Sequence, residues 1–141
     1  MWYYVTKNIN GDPRGAVLYA TKAWIELCEK GHANGRWLPF KSSDSAWCAV
    51  DFDGQMFGIL VYSLNDDQCK VTIEIGYVSP GHRKKGIYKK LMKHLLYELQ
   101  GKPYYTIESV VYPENKNMME IVDKQKRDVL TTTRININHN V

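Results

Sequence analysis

The sequence predicts an α/β chain of the α+β kind, with a central mixed, mostly antiparallel sheet flanked by helices. Three observations predict it. Runs of β-branched and aromatic residues alternate with stretches of helical periodicity, in the order strand, helix, loop, three strands, helix, strand, helix, strand. Short polar turns join the three middle strands, so those neighbours run antiparallel. A helix separates the fourth strand from the fifth, which is the crossover that parallel neighbours need. At 141 residues the chain is read as one domain, 1–141, with one real core.

Trp2 to Thr6 is aromatic and β-branched, a first strand. Asn8 to Gly11 is a turn. Asp12-Pro13 reads as an N-cap followed by proline at the first helical position. Ala16 to Lys30 is a helix with Val17, Ala20, Trp24, Leu27 and Cys28 on one face, and Gly31 stops it. His32 to Asp44 is irregular and polar, either a short helix or a loop. Its Trp37 and Phe40, with Trp47, either wall an acceptor site or plug the core.

Ser45 to Phe52 and Gln55 to Leu64 are two strands around Asp53-Gly54, the dipeptide of a type I′ hairpin. After the turn Asn65-Asp66-Asp67, Cys69 to Ser79 is the next strand, in which Gly76 marks a bulge or a close backbone approach. Ile87, Leu91, Met92, Leu95, Leu96 and Leu99 form the apolar stripe of a second helix. Gly101-Lys102-Pro103 ends it. Tyr104 to Tyr112 is a strand for the sheet interior. Asn115 is a candidate N-cap for a short helix at Met118 to Gln125. Val129 to Ile137 is a last, threonine-rich strand.

Composition narrows the function classes. Hydrophobic residues make up 44% and charged residues 24%, which fits a folded rather than a disordered chain. Cys28, Cys48 and Cys69 are widely spaced and odd in number, so reduced thiols are expected. No basic-then-apolar leader opens the sequence, and no apolar run approaches the roughly 18 residues of a membrane helix. A cytoplasmic protein with no membrane partner is expected. The four histidines make no ligand pattern with Cys or carboxylates, so no metal is expected. A net charge of +4 is too mild to name nucleic acid as a partner.

The charge is nevertheless concentrated. Six Lys or Arg lie between His82 and His94 with no acid among them, and setting those six aside leaves 13 basic residues against 15 acidic. They surround Arg83-Lys84-Lys85-Gly86-Ile87-Tyr88, at the junction of a strand and a helix. Unpaired N–H groups and the positive end of the helix dipole make such a junction an anion site. A phosphate-bearing ligand fits it; a solvated basic helix face is the other reading.

This stretch resembles the acyl-CoA-binding motif of the GNAT superfamily of N-acetyltransferases, Gln/Arg-x-x-Gly-x-Gly/Ala. Arg83 takes the first place and Gly86 the fourth, while the sixth, usually small, is Tyr88. Val78-Ser79-Pro80 resembles the family's strand exit, and the order of elements is similar across nearly the whole length. The resemblance implies an acetyl-CoA-dependent N-acetyltransferase acting by direct attack of an amine on the thioester. It implies that the fourth and fifth strands splay around the cofactor. N–H groups from Tyr77, Val78 and Ser79 would polarise the thioester. The backbone of Lys84, Lys85, Gly86, Ile87, Tyr88 and Lys89, with the Arg83 charge, would hold the pyrophosphate. Asn115 matches the family's asparagine.

The resemblance also assigns the proton transfers. Glu74, in the fourth strand, is the candidate base, although alternation alone leaves it equally on a solvated face. Glu108 is a second candidate. The tyrosine that usually protonates the thiolate falls at Val122, and the Gly-Phe pair that usually follows that helix is absent. Tyr112 is the substitute donor. The alternative is a catalytically degenerate GNAT-like module that binds a protein or nucleic-acid partner. The amine acceptor, small molecule or protein, stays open, and pairing of two copies through Val129 to Ile137 is one option.

Overall fold

The computed structural model of the protein describes residues 1–33, 37–110, 128–129 and 132–137. Seven strands form one sheet in the order β1-β2-β3-β4-β5-β7-β6. They are β1 (Trp2–Thr6), β2 (Ser45–Val50), β3 (Met56–Asn65), β4 (Lys70–Val78), β5 (Thr106–Val110), β6 (Asp128–Val129) and β7 (Thr132–Asn136). β1 to β4 are an antiparallel run, and β5 lies parallel to β4. β7 returns antiparallel on the far side of β5. Helices α1 (Ala16–Glu29) and α2 (Ile87–Glu98) cover opposite faces.

Each face has its own core. α1 presents Ala16, Ala20 and Ala23, whose small side chains let it lie close to Ala46, Cys48, Ile59 and Val61. Val17, Trp24 and Leu27 pack at the margin, so the buried face centres on alanines more than the sequence suggests. α2 buries Ile87, Leu91, Met92 and Leu95 against Leu60, Tyr62, Val71 and Ile73. The stripe read from periodicity is this face.

Several local expectations change. α1 begins at Ala16 behind Gly15, not at Pro13. Asp12 still serves the helix start, because its Oδ2 accepts from the Ala16 N–H at 3.1 Å. At the other end Gly31, with φ +72°, and His32 close a Schellman motif onto Cys28 and Leu27. The β2–β3 link is not a two-residue type I′ turn. Asp53 does not take positive φ, and Asp51 Oδ1 accepts the N–H groups of both Asp53 and Gln55. That geometry is a three-residue loop closed by Gly54 in the left-handed region. The last strand is two, since Asp128–Val129 turns back onto Arg134 and Thr133. The helix expected at Met118 to Gln125 lies outside the described residues.

Trp37, Phe40 and Trp47 do not share one wall. Phe40 is buried under α1, Trp47 packs on the α2 side, and Trp37 is 83% exposed.

Candidate functional site

β4 pairs with β5 only from Lys70 to Ile73. Among the described residues, β4 has no strand partner on its β5 side beyond Ile73, and that side is the gap. The end of that pairing coincides with a β-bulge. Val61 faces Ile75 and Tyr62 faces Ile73, so Glu74 is the extra residue in β4. A bulge bends its strand and increases its twist, so β4 changes direction at Glu74. Gly76 is not the bulge; its place has another cause, given below.

The ladder decides which backbone groups face the gap. The Ser79 N–H donates to the Phe57 carbonyl at 2.9 Å. In an antiparallel pair such bonds alternate, so Tyr77 and Ile75 also turn their N–H groups toward β3. Gly76 and Val78 then turn theirs toward the gap. Of the trio Tyr77, Val78 and Ser79, only Val78 offers an N–H there. Gly76 is the residue that sequence reasoning missed, because alternation sets the face only once one ladder bond is known.

β4 ends in the β4–α2 loop, between Val78 and Ile87. Gly86 begins α2 with φ +78° and no side-chain cap, and Lys84 also takes positive φ, +62°. Left-handed residues at 84 and 86 around Lys85 curl successive N–H groups into a concavity of the kind that holds anions. The N–H groups of Ile87 and Lys89 lie in the first turn, where a helix supplies no acceptor of its own, and Tyr88 lies between them. Lys84, Lys85 and Lys89 are exposed around them.

The side chains of the motif go elsewhere. Ile87 is buried, its Cγ2 only 3.1 Å from where a Cβ on Gly58 would lie, and so it anchors the helix start to β3. Tyr88 folds back over the sheet. A Cβ on Gly76 would lie 2.6 Å from Tyr88 Cε2, so Gly76 is glycine to admit that ring. The large side chain at the motif's sixth place is thus packed on β4. Arg83 also turns back: Nε donates to the Val78 carbonyl at 2.7 Å, the guanidinium lies 5.3 Å from the Tyr77 ring centroid, and Nη2 is 3.5 Å from Glu26. Tyr19, unforeseen from the sequence, shares a hydrogen bond of 2.5 Å with Ser79 Oγ, and burial pushes its phenol up to about 12. His82 stacks on Phe57, with ring centroids 4.6 Å apart.

Glu74 lies on the α1 face, half-buried, where Ser63 Oγ donates to its Oε1 at 3.0 Å. Burial raises its pKa most; the Ser63 hydrogen bond opposes that, and Asp44 adds to it. Glu108 is held by Lys70 at 3.2 Å. Tyr112 and Asn115 lie outside the described residues. Among the described residues no group of three His, Cys, Asp or Glu is gathered as metal ligands, and no helix is long and apolar enough to cross a membrane.

Comparison with solved structures finds the same fold. Tetrahymena GCN5 superimposes with a TM-score of 0.76 at 11% identity, over 100% of this chain and 99% of that one. A Sinorhizobium meliloti GNAT phosphinothricin acetyltransferase in complex with AcCoA gives 0.71 at 14% identity, over 98% and 90%. N-acetylglutamate synthase from Neisseria gonorrhoeae, complexed with coenzyme A and N-acetyl-glutamate, gives 0.67 at 13% identity; the alignment covers 98% of this chain but only 36% of that protein. A comparison with curated protein sequences finds no match. The sequence itself matches the acetyltransferase (GNAT) family over residues 12–124. That match takes in the bulged strand, the gap and the basic loop, and with most of its length covered the chain belongs to the GNAT family of acetyltransferases.

Proposed function

We propose that the protein is an acetyl-CoA-dependent N-acetyltransferase in which a bound amine attacks the thioester directly. One observation carries this reading: β4 leads into a glycine-started helix with no side-chain cap, ringed by exposed lysines. Acetyl-CoA supplies the activated acyl group. The Lys84–Lys89 backbone is the candidate to hold its pyrophosphate, and Gly86, with no described atom within 4 Å of where a Cβ would lie, lets oxygens approach. The Val78 and Gly76 N–H groups are the candidates for polarising the thioester carbonyl. Glu74 is the candidate proton acceptor, since a carboxyl raised toward neutrality is a better base at neutral pH. Structures of GNAT relatives bound to coenzyme A or AcCoA support the cofactor. The acceptor is a primary amine of a metabolite or a protein.

Calorimetric titration with acetyl-CoA tests this. The parent is expected to bind. Gly86→Asn keeps the left-handed conformation that asparagine tolerates and should retain most of the affinity. Gly86→Glu puts a carboxylate where the pyrophosphate goes and should abolish binding. No heat from the folded parent sinks the reading and leaves a GNAT fold reused for partner binding.

A further inference from the structure

The α1 face of the sheet is apolar along most of its height and turns polar at one end. There the strands line up a row of side chains. Ser45 pairs with Tyr62, so the next residue back, Asp44, lies opposite Ser63. Ser63 pairs in turn with Thr72 and donates to Glu74. Asp44 and Ser63 share the face of Ala46 and Val61, which is the α1 face. Asp44 is 8% exposed, and its Oδ2 is fixed by the Lys41 N–H at 2.9 Å.

We propose that Asp44 is a positioning residue for Glu74, set at the far end of a carboxylate–hydroxyl–carboxylate row that runs from the residue before β2 across β3 to β4, so that its charge acts on the candidate base. The inference rests on the proposed role of Glu74. Two strand spacings, roughly 10 Å, separate the ends of the row. Burial on one side keeps solvent from screening the pair fully. A second negative charge disfavours ionised Glu74, so the carboxyl holds its proton to higher pH and takes one from an amine more readily. The charge also favours an acceptor that arrives as an ammonium ion.

Other described groups also surround Glu74. Ser63, on β3, pulls the opposite way by donating to the carboxylate, and so does the Lys41 cation in the loop before β2. On β5, Glu108 lies one strand over, opposite Thr72, with Lys70 bonded to it. α1 covers the face with Ala16, Ala20, Ala23, Leu27 and the phenol of Tyr19.

The test follows the Glu74 carboxyl directly. Protein carrying carboxyl-¹³C glutamate is titrated by NMR, with the Glu74 signal identified by its loss in Glu74→Gln. Asp44→Asn should move the Glu74 midpoint to lower pH, because the ionised form loses a like-charged neighbour. Asp44→Ser, which keeps an oxygen for the Lys41 amide, should do the same and stands in if the asparagine variant does not fold. Ser63→Ala should move the midpoint to higher pH. An unmoved midpoint in both Asp44 variants, or the same direction of shift in the Asp44 and Ser63 variants, overturns the inference. Acetyl-CoA titration of the same proteins separates the two levels. Binding kept with an unmoved midpoint removes Asp44 alone, whereas no binding in the parent removes the reaction as well.

Discussion

At the scale of single residues, two contacts show how the site depends on its supports. Gly76 and Tyr88 form one: the ring occupies the space a Cβ at 76 would need. Gly76→Ala is expected to cost about 1–3 kcal/mol, the usual range for overpacking a filled core. In the Tyr88→Ala background the same change should cost far less, and urea denaturation of the four proteins in a double-mutant cycle measures the difference. Equal costs in both backgrounds would mean that the ring does not set the choice of glycine. The second contact is buried Tyr62, whose hydroxyl donates to both Glu98 oxygens at 2.9 and 2.6 Å. Burial, and then the carboxylate, raise its pKa and keep the phenol a donor across the ordinary pH range. Tyr62→Phe should lose about 1.5–3 kcal/mol, the value of a hydrogen bond to a charged group. Lys7, which bonds the same carboxylate at 2.7 Å from a side chain 62% exposed, should matter much less when changed to Ala. Equal losses by denaturant titration would contradict this ordering.

Among the elements, β4 does the most. Val71 and Ile73 face α2, whereas Ile75 and Tyr77 face α1. Strict alternation would put all four on one side; the extra residue at Glu74 moves the second pair across. Deleting Glu74 therefore leaves both halves on their present faces and joins them in a regular ladder. The expected protein is folded, with a denaturation midpoint equal to or above the parent's. Its straightened β4 can pair further along β5, so calorimetry should show acetyl-CoA binding weakened or lost. A folded deletion that binds acetyl-CoA as the parent does would show that the bulge does not open the gap. This element also marks how far the sequence could be read. The segment Cys69 to Ser79 is visible as a strand, because apolar and β-branched residues recur along it. The bulge is not visible, because it arises from pairing with β3, and its position decides the face of Glu74. The hairpin before it fails differently. Asp53-Gly54 signals a turn, but Asp51, outside the dipeptide, captures two N–H groups and sets a longer loop.

For the whole molecule, two cores on opposite faces of one sheet fix the site between them. α1 and α2 each bury a helical stripe, and the β4–α2 loop runs from the end of central strand β4 to the start of α2. Local sequence was enough for the order of elements from the first strand to the fifth, the apolar stripe of α2 and the basic Gly86 loop. Each of these rests on residues close together in the chain, where periodicity and turn chemistry act. It was also enough to carry the family resemblance. Strand pairing was needed to show that Tyr88 turns onto Gly76, that Gly76 and Val78 rather than Tyr77 turn their N–H groups away from β3, and that Asp44, Ser63 and Glu74 stand in one row. Those relations join residues up to thirty positions apart through strand register. Register is set by the pairing of whole strands, and a shift of one residue exchanges every inward side chain for an outward one.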